Sequence, residues 1–260
     1  MSGIGALIII ILVSSIPAVA VFAWFRFARY AFSLLRFSSA LLAGAASFFP
    51  ALILQNLFAA ETGIFAVSGK WSLITKTFIR IALAEEISRL LLLIILFCII
   101  RYVRLIQSLE EPVNGISMPA NTLAAATGLI AGFGFAVIEN AVLGISNPEN
   151  ILLRTFTATF LHGSCGYRVG SAIALFRNSP FRAFIRFLSA VAIHGAYNFM
   201  LEIPNLLSLI FAILIVFTAF ISSILTIYTN IKKPAGTDSP SIDSSSTDNS
   251  NSKFEKDLVK

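Results

Sequence analysis

The chain has 260 residues, of which 57% are hydrophobic and only 12% charged, with 24 phenylalanines. Soluble domains carry about 25% charged residues, so a soluble globular domain is excluded, and apolar runs recurring along nearly the whole length predict an all-α polytopic transmembrane bundle of about seven spans. The net charge of +6 does not indicate nucleic acid as a partner, because the basic residues fall mostly between apolar runs, where they orient a membrane protein and form no binding stripe.

Residues 3–24 read as a first span, a retained helix rather than a signal peptide, since no basic segment precedes it and no cleavage site follows. Arg26, Arg29 and Arg36 crowd the next connection. Span two covers about 38–59, and the short loop after it holds Glu61 and Lys70. The third apolar region, about 71–100, is too long for a simple span and carries Lys76, Arg80, Glu85, Glu86 and Arg89. An interfacial or kinked lead-in to a spanning helix that includes the glutamates is expected there.

Arg101 and Arg104 close that helix, and residues 110–115 form a turn-rich loop. Spans four to seven are expected at about 120–144, 151–176, 184–201 and 205–228. From 231 the composition turns to Ser, Asp, Asn and Thr, the mark of a disordered tail. The predicted organisation is two N-terminal helices (1–70), a core bearing the charged motifs (71–201), a last helix (202–230) and the tail (231–260). Basic residues concentrate in loops one, three and five and in the tail, which predicts an extracytoplasmic N-terminus and a cytoplasmic C-terminus in the cell membrane. Cys98 and Cys165 both lie inside spans and read as buried structural thiols.

Charged groups inside spans demand a reason, since each costs roughly 2.5–3.5 kcal/mol at a bilayer centre on insertion scales. Glu85 and Arg89 are four apart and Glu86 and Arg89 three apart, so either can pair with the arginine. One such pair leaves a glutamate over. With Glu139, His162 and His194, the two glutamates form a set of five polar groups on four spans, and the set includes both histidines of the chain. Under the predicted topology Glu139 and His194 lie near the outer ends of their helices, and His162 lies about eleven residues in. His162, Gly166 and Gly170 recur every four residues, so the glycines line the face of the imidazole and leave room beside it. His194 and Asn198 share a face in the same way.

Simpler accounts exist for each residue alone. Glu86 can merely pair with Arg89, a lone histidine can pack between helices, and Glu139 with Asn140 can be an interfacial polar pair. Lys76 and Arg80 read as snorkelling residues. Local packing does not predict that the groups gather at one depth on four helices. Together they suit water activation, with a carboxylate as general base and imidazoles orienting the water or stabilising an oxyanion. The same set can hold a metal with an open position. No His-Glu-x-x-His helix is present, and Ser164 and Cys165 lie off the face of His162, which disfavours a nucleophilic mechanism.

The segments Glu85-Glu86-Ile-Ser-Arg89, Phe135-Ala-Val-Ile-Glu139-Asn140, His162-Gly-Ser-Cys-Gly166-Tyr-Arg-Val-Gly170 and His194-Gly-Ala-Tyr-Asn198 resemble the four ordered motifs of the PrsW family of intramembrane proteases. That family is distantly similar to CAAX-prenyl and bacteriocin-processing proteases. The resemblance spans about 71–201. It implies a bacterial membrane protease that clips single-pass, membrane-anchored proteins, such as an anti-sigma factor, in regulated proteolysis, with Glu85, Glu86, Glu139, His162 and His194 as active-site residues. Arg89 stands where the family usually has Lys, Leu143 where Tyr is common, and Asn198 where Asp is usual.

The resulting expectation is an endopeptidase in which Glu85 or Glu86 activates water and His162 orients it. His194 and Asn198 stabilise the oxyanion, and Glu139 supports the site. Asn198, a good donor and a poor ligand, tilts this reading toward a metal-free mechanism. Zinc held by Glu85, His162 and His194 is the alternative. A proton-coupled transporter or channel, or an inactive scaffold, are the rival functions, although no internal repeat supports a transporter.

Overall fold

The computed structural model describes residues 3–59, 71–107, 116–146 and 151–232. Glu61, Lys70, the 110–115 loop and the tail beyond Lys232 lie outside the described residues. The described chain is helical: α1 (Gly3–Phe27), α2 (Leu34–Leu57), α3 (Ser72–Ile74), a π-helical segment (Thr75–Leu83), α4 (Ala84–Gln107), α5 (Ala120–Ser146), α6 (Ile151–Leu175), α7 (Pro180–Leu201) and α8 (Leu206–Lys232). Several boundaries differ from expectation. Helices α2 and α7 begin at Leu34 and Pro180, ahead of the expected 38 and 184, Arg101 falls inside α4 instead of closing it, and α8 carries through Ile231 and Lys232, where the tail was expected to begin.

Local chemistry sets several ends. Ser33 caps α2 by accepting from the Arg36 amide at 3.2 Å, Pro180 opens α7 at a position where its missing N–H costs nothing, and Asn205 Oδ1 accepts from the Ser208 amide at 2.8 Å to cap α8. After α1 the chain turns through Arg29 in the left-handed region (φ 56°), and the Tyr30 amide reaches back to the Phe25 carbonyl at 2.9 Å. This is the hydrogen bond of a Schellman cap.

Among the described residues, five helical stretches are long and apolar enough to cross a membrane: Leu7–Phe27, Leu34–Leu57, Ala120–Gly144, Pro180–Leu201 and Leu206–Lys232. The helices α4 and α6 are of similar length but carry charged and histidine residues. The protein is therefore a multi-pass helical membrane protein. Its lipid side is visible in the apolar side chains left exposed on α1, α2, α4 and α8, among them Leu12, Phe49, Ile95 and Leu214.

Helix α5, rich in Ala and Gly, lies buried between α2 and α6. A Cβ on Gly44 would collide with the Ala131 backbone, and one on Gly128 with the Gly166 carbonyl. Helix backbones thus touch at both crossings, which places α5 at the centre. Gly166 and Gly170 face α5, so their role is this helix approach and not the room beside His162 that their spacing implied. Connections on each side are tied together. Ile116 exchanges backbone hydrogen bonds with Arg29 (2.7 Å) and Ala31 (2.9 Å), while Lys76 pairs with Glu202 at 2.8 Å.

Candidate active site

The segment before the glutamates is the kinked lead-in in a specific form: nine residues of π-helix, Thr75–Leu83, running directly into α4. A π turn shifts the phase of the side chains that follow, and such turns recur at functional sites. The segment packs on α7, where Phe78 fills the space left by Gly195 next to His194. Adjacent residues on a helix point in different directions, so Glu85 and Glu86 meet different partners.

Glu86 is fully committed. It pairs with Arg89 one turn on, and its Oε1 lies 2.8 Å from His194 Nδ1. An ionised carboxylate only accepts, so His194 carries a proton on Nδ1 and turns Nε2 to the other side. His162 is held in the same manner. Its Nε2–H donates to Glu139 Oε2 at 2.8 Å, and Glu139 Oε1 takes Arg154 Nη2 at 2.5 Å. The inner nitrogen of His162, Nδ1, accepts from Arg89 Nη2 at 3.1 Å. The two rings meet edge to face with centroids 5.0 Å apart. Phe135 packs on His162 at 4.8 Å, and the Arg89 guanidinium lies 4.7 Å from the centroid of the same ring.

Glu85 is the exception. Its Oε1 accepts from Gln55 Nε2 at 2.9 Å, but its buried Oε2 has no hydrogen-bond partner among the described residues. That oxygen lies 3.5 Å from His194 Nε2 and 4.0 Å from His162 Nδ1. A buried, unsatisfied carboxylate oxygen is costly, and in a native protein it calls for a ligand or a chemical role.

Glu85, Glu86, Glu139, His162 and His194 are therefore brought together from α4, α5, α6 and α7. Asn198 is not drawn in. It is half-buried one turn beyond His194, and none of the site's hydrogen bonds runs through its side chain. Two members of the cluster were not anticipated from sequence, Gln55 on α2 and Arg154 on α6. Each stands within a turn of a span end, where a polar residue ordinarily meets the interface. The carboxylate behind His194 is Glu86, which reaches it from α4.

The donors fit a metal ion. Glu85, His162 and His194 each offer one ligand atom, all within 4.8 Å of one another, and two histidines with one glutamate form a known catalytic zinc set with an open position. Tetrahedral ligands on bonds of about 2.1 Å stand roughly 3.4 Å apart, close to the Glu85–His194 separation of 3.5 Å. Charge agrees. Three carboxylates face two guanidiniums, and the uncompensated one is Glu85. Both histidines have a carboxylate behind the ring, the arrangement that orients ligating imidazoles and raises their basicity. A second group, Glu86 with Cys165 and His194, fits less well, because Glu86 is already neutralised by Arg89.

No curated protein and no solved structure matches the chain. One family does: the profile described as PrsW family intramembrane metalloprotease matches residues 33–224, a wider reach than the 71–201 spanned by the four motifs. The match takes in α2, which supplies Gln55, and most of α8. It covers well over half of the sequence, and the chain belongs to the PrsW family of intramembrane metalloproteases, membrane-embedded enzymes that hydrolyse peptide bonds.

Proposed function

We propose that this protease cuts single-pass, membrane-anchored proteins close to the extracytoplasmic face of a bacterial cell membrane, in the manner of anti-sigma-factor processing, at the centre formed by Glu85, His162 and His194. The single observation that carries this reading is the buried Oε2 of Glu85, without a hydrogen-bond partner among the described residues and facing the inner nitrogens of two histidines.

The proposed holders of the metal are Glu85, His162 and His194. A divalent ion there would supply an activated water and polarise the scissile carbonyl. The chain's own groups do the rest. Glu86 and Glu139 each hold one ring nitrogen and turn the other toward Glu85. Arg89 and Arg154 anchor those carboxylates. The half-buried amide of Asn198, one turn from His194, is free of the site's internal network and suits donation to the tetrahedral oxygen. Burial of Glu85 and both histidines keeps lipid and bulk water out, which strengthens each electrostatic contact inside.

One observation favours a second, metal-free reading. Arg89 Nη2 already donates to His162 Nδ1 at 3.1 Å, so a fixed cation stands where an ion would bind. In that reading Glu85 Oε2 takes the proton of water directly and passes it to the leaving amine. Exhaustive chelation separates the two: activity lost on chelation and restored by zinc supports the metal centre, and full activity afterwards supports Glu85 as the base.

The depth of the site supports extracytoplasmic cleavage. Gln55, Glu139, Arg154 and His194 all stand within about two turns of helix ends on one side. The Arg29–Ile116 pairing joins connections on the opposite, basic side. Seven spans, with α4 and α6 crossing alongside the five most apolar stretches and the C-terminus in the cytoplasm, satisfy both. Comparing membrane proteomes of cells making the wild type and Glu85→Gln tests the function. A single-pass protein that accumulates uncut with Glu85→Gln is expected, and identical proteomes would overturn the reading.

A further inference from the structure

Among the described residues, the hydrogen bond from Gln55 is the only one made to Glu85. Gln55 stands in the last turn of α2, a helix that contributes no charged group to the site and none of the four motifs. Glu85 sits among other carboxylates and would otherwise be free to rotate about its terminal torsion, which is broad and roughly two-fold. The amide nitrogen 2.9 Å from Oε1 stops that rotation and occupies one oxygen. The remaining oxygen, Oε2, is the one left facing His194 Nε2 and His162 Nδ1.

We propose that Gln55 is a positioning residue for Glu85, which makes the carboxylate a one-oxygen donor to the histidine pair and brings α2 into the active centre. The inference rests on the reading that Glu85, His162 and His194 hold the metal. A donor is required, because a carboxylate ligand that takes no hydrogen bond on its outer oxygen can swing to bind through both. Glutamine suits the place. It donates without adding charge, whereas Lys or Arg there would neutralise Glu85 and remove the attraction for a cation. The helix that holds it is itself fixed against α5, where Gly44 rests on the Ala131 backbone, so the donor stands on a rigid element.

The test uses the full chain in detergent and metal ions alone. Zinc affinity is measured by competition with a chromophoric chelator for the wild type, Gln55→Leu, Gln55→Met, Glu85→Gln and the neighbouring Asn56→Leu. Cobalt absorption and thermal unfolding of the metal-free proteins are recorded beside it. One equivalent of zinc in the wild type, lost in Glu85→Gln, is expected. Gln55→Leu and Gln55→Met should bind zinc about 10–100-fold more weakly, with only a modest drop in the metal-free unfolding midpoint from the lost hydrogen bond and a weaker cobalt spectrum as the carboxylate turns to bind through both oxygens. Asn56→Leu controls for loss of polarity in the same turn and should match the wild type. Should Gln55→Leu unfold, Gln55→Met keeps length and flexibility and carries the test alone. Wild-type zinc affinity and an unaltered cobalt spectrum in both Gln55 variants, with binding lost in Glu85→Gln, would overturn the role of Gln55 and leave the metal centre standing. Equal zinc binding by the wild type and Glu85→Gln would overturn the metal centre and this inference with it.

Discussion

His162 and His194 are held by the same device in two different surroundings. Each ring donates one N–H to a carboxylate, and each carboxylate is neutralised by an arginine. Behind His194 stand Glu86 and Arg89, both side chains 0% exposed. Behind His162 stand Glu139 and Arg154, 13% and 26% exposed. The first pair comes from a single helix turn, the second from two helices, α5 and α6. The difference separates folding from chemistry. An ion left alone in the dry interior has no water to turn to, so the His194 arm belongs to the fold. The His162 arm is part-exposed, so loss of one partner strands less buried charge, and its weight falls more on catalysis.

The sharpest way to break this comparison is Arg89→Leu. It leaves Glu86 charged and buried, a loss of about 3–5 kcal/mol where such pairs are broken from one side. The variant should fail to accumulate or should unfold far below the wild type in a thermal melt. Adding Glu86→Gln removes the stranded charge and should restore part of the lost stability. Wild-type abundance and melting for Arg89→Leu alone would mean that the inner arm is not what holds α4 in place.

Glu139→Gln comes next and should show the reverse pattern. The protein should accumulate normally, because Arg154 is part-exposed and can find water, while turnover falls about 10–100-fold as His162 loses the partner that fixes its tautomer. Arg154→Gln acts at one remove and should cost less turnover than Glu139→Gln, with stability changed by about 1 kcal/mol or less. Turnover and melting midpoint measured on the same preparations decide it. A large melting loss with either variant would erase the distinction between the arms.

Arg89→Lys sharpens the comparison within the buried arm. A lysine ammonium can still pair with Glu86, but it is a point charge without the planar fork that lets Arg89 also reach His162 Nδ1. Abundance should remain near wild type while zinc affinity rises several-fold, because the lone pair on His162 is released. Unchanged affinity, measured by the same chelator competition, would show that the guanidinium does not compete with the ion.

Much of this site is legible in the sequence because it is written in spacing. Glu86 and Arg89 lie three apart, so a helix alone brings them together. The choice of Glu86 over Glu85 is not legible, since it is made by His194 on another helix. Gln55 and Arg154 each sit within a turn of a span end, where interfacial solvation explains a polar residue equally well. Only the packing of α2 against α4, and of α5 against α6, turns them inward. The π-helical segment is hidden for a different reason: nine residues make only about two turns, too few repeats for the apolar pattern to tell i→i+4 from i→i+5 bonding. Asn198 stands one turn from His194 on α7, as its spacing requires, while the carboxylate that orients that ring, Glu86, arrives from α4.

The gradient of burial extends to a third ion pair, and there the smallest effect is expected. Lys76 Nζ lies 2.8 Å from Glu202 Oε1, with the side chains 44% and 40% exposed. The pair links the π-helical segment to the end of α7, so it spans two of the elements that frame the site. Position alone would suggest a latch. Exposure argues otherwise, because solvent-exposed pairs contribute about 0.2–1 kcal/mol and are screened by salt. The segment also has a stronger attachment, the packing of Phe78 into the space at Gly195. Lys76→Ala should therefore leave turnover unchanged and lower stability by less than about 1 kcal/mol, and the difference from wild type should vanish at high ionic strength. Phe78→Ala should cost about 3 kcal/mol or more if that packing holds the segment. A Lys76→Ala defect as large as that of Phe78→Ala, persisting in high salt, would make the ion pair the fastening of the π-helical segment and end the correlation between burial and effect.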